Sequence, residues 1–228
     1  MKLQTQEYRS RVALNLYDSP ECTCLATQAA AWRHLRLRSL HQKDTAIEVC
    51  LVEDDYPGWL RAQDRRYLEE ATTPYVAHSL SVDEIQARLP SAIAFTKAAM
   101  QQPNRYLWGG TLGPDYDCSG LMQAAFASTG IWLPRDAYQQ EAFTQPIGIE
   151  ELLPGDLVFF GTPQKATHVG LFLGAGYYIH SSGEKMGRNG IAIDPLSEQG
   201  DAVTRSYYQQ LRGAGRVVAS YQPKIGSR

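Results

Sequence analysis

Long apolar runs, an excess of either charge and a dense set of cysteines are all missing from this chain of 228 residues. No segment approaches the ~20 apolar residues that a membrane helix needs. The apolar stretch from Val12 to Tyr17 is too short and interrupted to be the core of an export signal. With 22 Lys and Arg against 24 Asp and Glu, the surface has no general attraction for phosphate backbones or anionic lipid. Neither nucleic acid nor membrane is therefore an expected partner. The four cysteines, with no export signal, read as free thiols of a reducing cytoplasm. Cys22 and Cys24 lack zinc-knuckle spacing, so no metal is expected at Cys22, Cys24, Cys50 and His34, and no cofactor is implied elsewhere. Repeats and low-complexity tracts are also absent, and a 43% hydrophobic content is enough for one large domain or two small ones.

The patterning changes near Thr73-Pro74. Before it, apolar residues alternate at Val12, Leu14 and Leu16, at Leu35 and Leu37, and at Ile47, Val49 and Leu51. Trp59-Leu60 then follows the turn Pro57-Gly58. Turn residues at Asp18-Ser19-Pro20, from Ser39 to Asp44 and from Asp54 to Gly58 separate these segments, which suggests a small antiparallel barrel over 1–75. Helix competes with strand only around Ala26 to Ala31. A linker and helix start follow over 76–90, where Ser81 and Glu84 make a capping box and Pro90 is expected to kink or split the helix. The second domain, 91–228, reads as helices followed by a meander of strands: Leu157 to Phe160, His168 to Leu173, Tyr177 to His180, Ile191 to Ile193 and Val217 to Tyr221. That order makes the domain α+β.

Within it, Asp117-Cys118-Ser119-Gly120 precedes Leu121, Met122, Ala125 and Phe126, so Cys118 falls on the first turn of a helix that Gly130 stops. Unpaired amides and the macrodipole at a helix start favour a thiolate, and a depressed thiol pKa is the expectation. Two histidines follow in the order nucleophile, base, orienting group. If Gly174-Ala175-Gly176 is a three-residue hairpin loop, Leu173 faces Tyr177 and His180 lies opposite Gly170. His168 and His180 then leave the sheet on one face as diagonal neighbours, and a one-residue slip would separate them. The remaining histidines, His34, His41 and His78, lie in the front module or linker, where structural or solvated roles are expected.

Six ordered blocks carry a resemblance. They are Tyr106-Leu107-Trp108-Gly109-Gly110, Asp117-Cys118-Ser119-Gly120, Leu133-Pro134-Arg135-Asp136, Pro154-Gly155-Asp156 with Leu157 to Phe160, His168-Val169-Gly170 and Tyr178-Ile179-His180. Together, over about Asn104 to Ser182, they resemble the NlpC family of bacterial cell-wall cysteine peptidases. The front module, from Tyr8 to Glu70, resembles the bacterial SH3-like domains often attached to them. The resemblance implies a papain-like fold and hydrolysis of the bond between γ-D-glutamate and a diamino acid in murein peptides. The sequence leaves the oligomeric state open, with a monomer favoured.

By that resemblance Cys118 is the nucleophile, His168 the base and His180 the group that orients it, with the Tyr106 hydroxyl aiding the Cys118 backbone amide in the oxyanion hole. Asp136 and Tyr56 look similar to residues with which recycling members hold a free N-terminal L-alanine. Ser119 would meet the glutamyl α-carboxylate, with Asp117 shaping the same turn. Plainer roles compete: a cap for Asp117 or Asp136, a solvated hydroxyl for Ser119, a core aromatic for Tyr106 and a surface aromatic for Tyr56. Other functions compete as well: a papain-like amidase or acyltransferase, a murein-binding module with an inactive second domain, or an interaction scaffold.

Overall fold

Alternation in the first third of the chain does produce strands, and the computed structural model, which describes residues 6–39 and 45–224, gathers them in a unit of their own. That unit extends to His78 and includes the described residues from Tyr221, while Ser79–Ser220 form a second unit. The first unit holds β1 (Glu7–Ser10), β2 (Leu14–Tyr17), β3 (Leu25–Ala29), β4 (His34–Ser39), β5 (Ala46–Leu51), β6 (Pro57–Arg61) and β7 (Leu68–Glu70). They join antiparallel in the order β3-β2-β6-β5-β4-β1-β7. Leu14 and Leu16, Leu35, Val49 and Leu51, and Leu60 turn inward to one core, as period-two patterning requires.

The stretch around Ala26 is strand, because its pairing with β2 overrides alanine's helical preference. His41 and most of the turn expected from Ser39 to Asp44 lie outside the described residues. His34 is structural: its Nδ1 lies 3.2 Å from Glu7 Oε2. The same carboxylate accepts from Arg36 and from the backbone amide of Tyr75, which ties the segment after β7 to this sheet.

The second unit begins with the capping box. Ser81 Oγ accepts from the Glu84 amide at 3.2 Å and Glu84 Oε2 accepts from the Ser81 amide at 2.8 Å, and α1 (Val82–Met100) follows. The stretch 76–90 thus holds the first turns of a helix whose Ile85, Leu89 and Ile93 join the second unit's core. Pro90 does not split it. Pro90 is exposed, on a side of the helix where water can serve the Gln86 carbonyl that a proline leaves without a donor.

After the short strands β8 (Thr111–Leu112) and β9 (Asp115–Tyr116) come α2 (Cys118–Ala127), α3 (Ala137–Phe143), β10 (Gln145–Ile147), β11 (Leu157–Gly161), β12 (Ala166–Gly174), β13 (Tyr177–Ser182), β14 (Gly190–Pro195), α4 (Ala202–Gln209) and β15 (Leu211–Arg216). The sheet order is β10-β15-β11-β12-β13-β14, antiparallel throughout. Leu121, Met122 and Phe126 of α2 pack on one face with Leu157, Phe159, Val169, Leu171 and Ile179. Each large side chain buried there contributes about 1.5–3 kcal/mol. Val158, Phe160, Phe172 and Tyr178 leave the opposite face and meet Tyr207 of α4.

The last strand differs from the expected Val217 to Tyr221. β15 is Leu-Arg-Gly-Ala-Gly-Arg, a segment with no alternation of its own, held because both neighbours supply ladder partners. Val217 follows it as a core residue.

The hairpin between β12 and β13 sets the site. Leu171 pairs with Ile179 and Phe172 with Tyr178, the register expected from the glycine turn. The turn itself is tighter than a three-residue loop. Gly174 pairs with Tyr177 and the register shifts between Phe172 and Gly174, leaving Ala175 and Gly176 at φ 51° and 77° as the two central residues. Both conformations are left-handed, as in a type I′ turn, and only alanine resists that. Ala175→Asn should raise the unfolding free energy by about 0.5–1 kcal/mol, read as a higher urea midpoint at unchanged slope. A lower midpoint would contradict the assigned turn.

Candidate active site

The start of α2 is built around one carboxylate. Asp117 occupies the N-cap, its Oδ1 accepting from the Gly120 amide at 2.6 Å and its Oδ2 from the Gly109 amide at 2.9 Å. Arg135, only 1% exposed, meets it with both ends of the guanidinium, NH2 to Oδ2 at 2.6 Å and NH1 to Oδ1 at 3.1 Å. NH1 also donates to Ser119 Oγ at 3.0 Å. Gly120 is obligatory, because a Cβ there would lie 1.9 Å from the Gly110 carbonyl oxygen. The Asp-Cys-Ser-Gly motif is therefore a tightly held helix start. Asp117, expected to shape this turn, is its N-cap, and the buried Ser119 hydroxyl is bonded to Arg135 and Asp117. A carboxylate buried here is stable only when paired.

Cys118 stands on the first helical residue, and backbone amides of Ser119 and Val169 donate to its sulfur. The expected depression of its pKa does not hold in this structure. Burial pushes the thiol up to about 12, with the Asp117 charge adding to the effect; the two amides and Arg135 act in the opposite direction and lose. Burial thus favours the protonated form of the resting sulfur.

Val169 follows His168, so the same strand turn that offers the sulfur an amide carries the imidazole. His168 Nε2 lies 2.7 Å from His180 Nδ1, with ring centroids 4.9 Å apart. Gly170 makes room for this pair: a Cβ there would come within 2.6 Å of the Tyr178 ring and 3.3 Å of His180 Cβ. Burial, then the neighbouring His180, depress the His168 pKa well below its ordinary value. Burial lowers that of His180 as well, against the opposing pull of Asp194. Burial thus favours the neutral form of both rings.

Four more residues complete the site. His180 Nε2 lies 2.9 Å from Asp194 Oδ2, and Asp194 receives Arg188, whose NH1 also pairs with Asp201 at 2.7 Å. Tyr207 of α4 stacks on His168 at 4.5 Å and 29° and stands edge-on to His180 at 5.0 Å. Its hydroxyl lies 2.9 Å from Ser182 Oγ, and burial pushes its pKa up to about 12. None of the four was singled out in the sequence. Asp194 lies one residue beyond the strand read as Ile191 to Ile193, on the face that His180 shares. Asp201 followed by Val203 and Tyr207 at helical spacing was the available signal for α4.

Tyr106 lies within the electrostatic field of Cys118. Burial first, and the charge that sulfur would carry next, raise its hydroxyl pKa and keep it a proton donor. Asp136 sits at the N-cap of α3, its amide donating to Gln139 Oε1 at 3.0 Å and its carboxylate bonded to the Tyr138 hydroxyl. Tyr56 belongs to the first unit, where its ring packs on that unit's core. Among the described residues no cluster of His, Cys, Asp and Glu is arranged to hold a metal ion, and no helix is long and apolar enough to cross a membrane.

Comparison with known proteins agrees with this division. The sequence profile of the NlpC/P60 family matches residues 103–212, and that of the bacterial dipeptidyl-peptidase SH3 domain matches residues 16–64. The bifunctional muramidase/DL-endopeptidase CwlT of Bacillus subtilis is 31% identical over 148 residues, 62% of this chain and 45% of that protein. A gamma-D-glutamyl-L-lysine dipeptidyl-peptidase of Bacillus cereus is 28% identical over 185 residues, 78% of this chain and 48% of that protein. The chain thus spans about half the length of these curated relatives. The crystal structure of an NlpC/P60 family protein from Bacillus cereus superposes with a TM-score of 0.50 at 25% identity, covering 94% of this chain and 64% of that one. The architecture is therefore the papain-like NlpC/P60 fold preceded by an SH3-like domain.

Arg135 should carry the integrity of the helix start. Arg135→Met leaves the Asp117 carboxylate buried without its cation and should cost about 3–5 kcal/mol in urea denaturation. Removing the charge as well, in Asp117→Asn with Arg135→Met, should recover part of the loss. Equal stability of Arg135→Met and the unmodified protein would show that the pair does not anchor α2.

Proposed function

We propose, on the premise that residues 103–212 form an NlpC/P60 domain and residues 16–64 a bacterial dipeptidyl-peptidase SH3 domain, that this chain is a cysteine peptidase of cell-wall peptides. The observation that carries the reading is a thiol at a helix start beside a strand whose histidine is bonded to a second histidine at 2.7 Å. His168 commits Nε2 to His180, which leaves Nδ1 to exchange a proton with sulfur. In the reaction His168 takes the Cys118 proton as the sulfur attacks the amide carbonyl, so no thiolate has to persist in the buried resting site. The tetrahedral oxyanion is held by the Cys118 amide and the Tyr106 hydroxyl. His168 then protonates the departing amine, and water, activated by the same base, releases the acyl group from sulfur.

The bond we propose is that between γ-D-glutamate and a diamino acid. It is supported by the name of the Bacillus cereus relative, a gamma-D-glutamyl-L-lysine dipeptidyl-peptidase. A free N-terminal L-alanine on the substrate, with its ammonium met by the partly exposed Asp136, would suit small released peptides and a recycling role. The four cysteines, all free thiols, are compatible with the reducing cytoplasm such recycling would use.

Mass spectrometry of defined L-Ala-γ-D-Glu-diamino acid peptides should show release of the L-Ala-D-Glu dipeptide by the unmodified protein and none by Cys118→Ala. Intact peptide with both proteins would remove the reading. Acetylation of the N-terminal alanine should depress turnover strongly, whereas equal cleavage of blocked and free peptides would remove the recycling role alone.

The acid limb supplies a separate check. A base whose folded pKa is depressed stays neutral below the ordinary histidine value of about 6.5, so activity persists as pH falls through that value. The acid limb of kcat/KM should lie below it; a limb at or above it would show that His168 is not the buried base described.

A further inference from the structure

The hydrogen-bonded chain does not end at the second histidine. Asp194, 2% exposed, accepts from His180 Nε2 through Oδ2 at 2.9 Å. The same oxygen accepts from Arg188 Nε at 3.2 Å, and Arg188 NH2 donates to Oδ1. Arg188 is itself held by Asp201 through NH1 at 2.7 Å. The strand register produces this alignment: Tyr178 pairs with Asp194 and His180 with Ala192 across β13 and β14, so Asp194 is the diagonal neighbour of His180 on one face.

A neutral imidazole carries one proton, on either nitrogen, and two linked neutral rings can order their protons in either direction. A carboxylate at one end removes the choice, because it only accepts. With Asp194 at Nε2 of His180, that nitrogen holds the proton and Nδ1 is bare. The bare Nδ1 accepts from Nε2 of His168, which places the His168 proton on Nε2. The remaining nitrogen, Nδ1 of His168, is then the free base. Reversing the order would put a proton on that nitrogen and leave it unable to take one from sulfur.

We propose that Asp194, steadied by Arg188 and Asp201, is a fourth member of the catalytic machinery: a positioning residue that sets the direction of the proton chain through His180 and so makes Nδ1 of His168 the base. No new bond is made or broken by Asp194. It also offsets the positive charge that appears on the paired rings when the thiol proton arrives. Tyr207, stacked on His168, and Tyr178, 4.8 Å from His180 with the rings tilted, wall the two histidines with aromatic surface, where a fixed carboxylate acts with little screening.

This rests on the peptidase reading, and one arm of its test does not use activity. In protein labelled with 15N at histidine, at neutral pH, the two-bond couplings to ring carbon protons should identify Nδ1 as the bare nitrogen of both His168 and His180. A bare Nε2 on His168 in the unmodified protein would overturn the proposal, whatever the enzyme cleaves. Asn at 194 can donate as well as accept, so Asp194→Asn should lower kcat by about 10²–10⁴-fold with KM within about threefold, in protein whose thermal transition shows it folded. The same spectrum should then show the His168 proton redistributed toward Nδ1. Folded Asp194→Asn with kcat within about threefold of the unmodified enzyme would overturn it, as would an unchanged His168 tautomer. Arg188→Gln, which leaves the Asp194 contact to His180 in place, should lose less than Asp194→Asn; an equal loss would move the role from the carboxylate to the ion pair.

Discussion

A 2.7 Å hydrogen bond between two buried imidazoles is the constraint on which the rest of the second unit turns. It exists only if β12 and β13 pair in a single register, if Gly170 leaves space beside Tyr178 and His180, and if at least one ring is neutral to accept. Each condition is met by a separate feature: the tight turn at Ala175 and Gly176, the missing Cβ between Tyr178 and His180, and the burial that disfavours charge on either ring. A one-residue slip would send His168 and His180 to opposite faces and leave a buried polar ring without a partner.

Neutrality has a cost and a use. A sulfur placed at a helix start and offered two amides would ionise readily if it were wet, yet burial outweighs those donors and keeps the proton on it. Two charges in such a site would each lose several kcal/mol of solvation before attraction returned any of it. In the proposed reaction, keeping thiol and imidazole uncharged until a carbonyl arrives defers charge separation to the step in which the oxyanion also forms, where the Cys118 amide and the Tyr106 hydroxyl are proposed to act together. Asp117, Asp156 and Asp194, carboxylates that the unit buries, each have an arginine, and two of them lie where they fix this geometry: Asp117 at the origin of α2 and Asp194 at the end of the histidine chain.

Much of this was legible in the sequence because short motifs impose local geometry. The capping box at Ser81 and Glu84, the helix following Cys118 and the hairpin carrying His168 and His180 each obey rules that act over a few residues, and the structure has all of them. What escaped depends on long-range context. Asp194 was invisible because a carboxylate near a strand end is ordinary until its diagonal neighbour is known. Arg135 looked like half of a motif; its burial against Asp117, 18 positions earlier in the chain, could not be read from spacing. The contacts that Asp117 and Ser119 make with Arg135 were hidden for a related reason, since side chains next to a nucleophile can serve the fold as well as a ligand. The strand Leu211–Arg216 has two glycines and no alternation, and exists because neighbouring strands on both sides hold it.

In the proposed reaction the Cys118 sulfur attacks the amide carbonyl as its proton passes to His168, and loss of the amine leaves the sulfur acylated. Rapid quenching of the enzyme with a γ-D-glutamyl peptide, followed by proteolysis and mass spectrometry, measures this directly. The account predicts an L-Ala-γ-D-Glu acyl group in thioester linkage on the peptide containing Cys118, rising before free dipeptide and removed by hydroxylamine. Dipeptide release with no adduct on that peptide, or with the adduct on another residue, would contradict it.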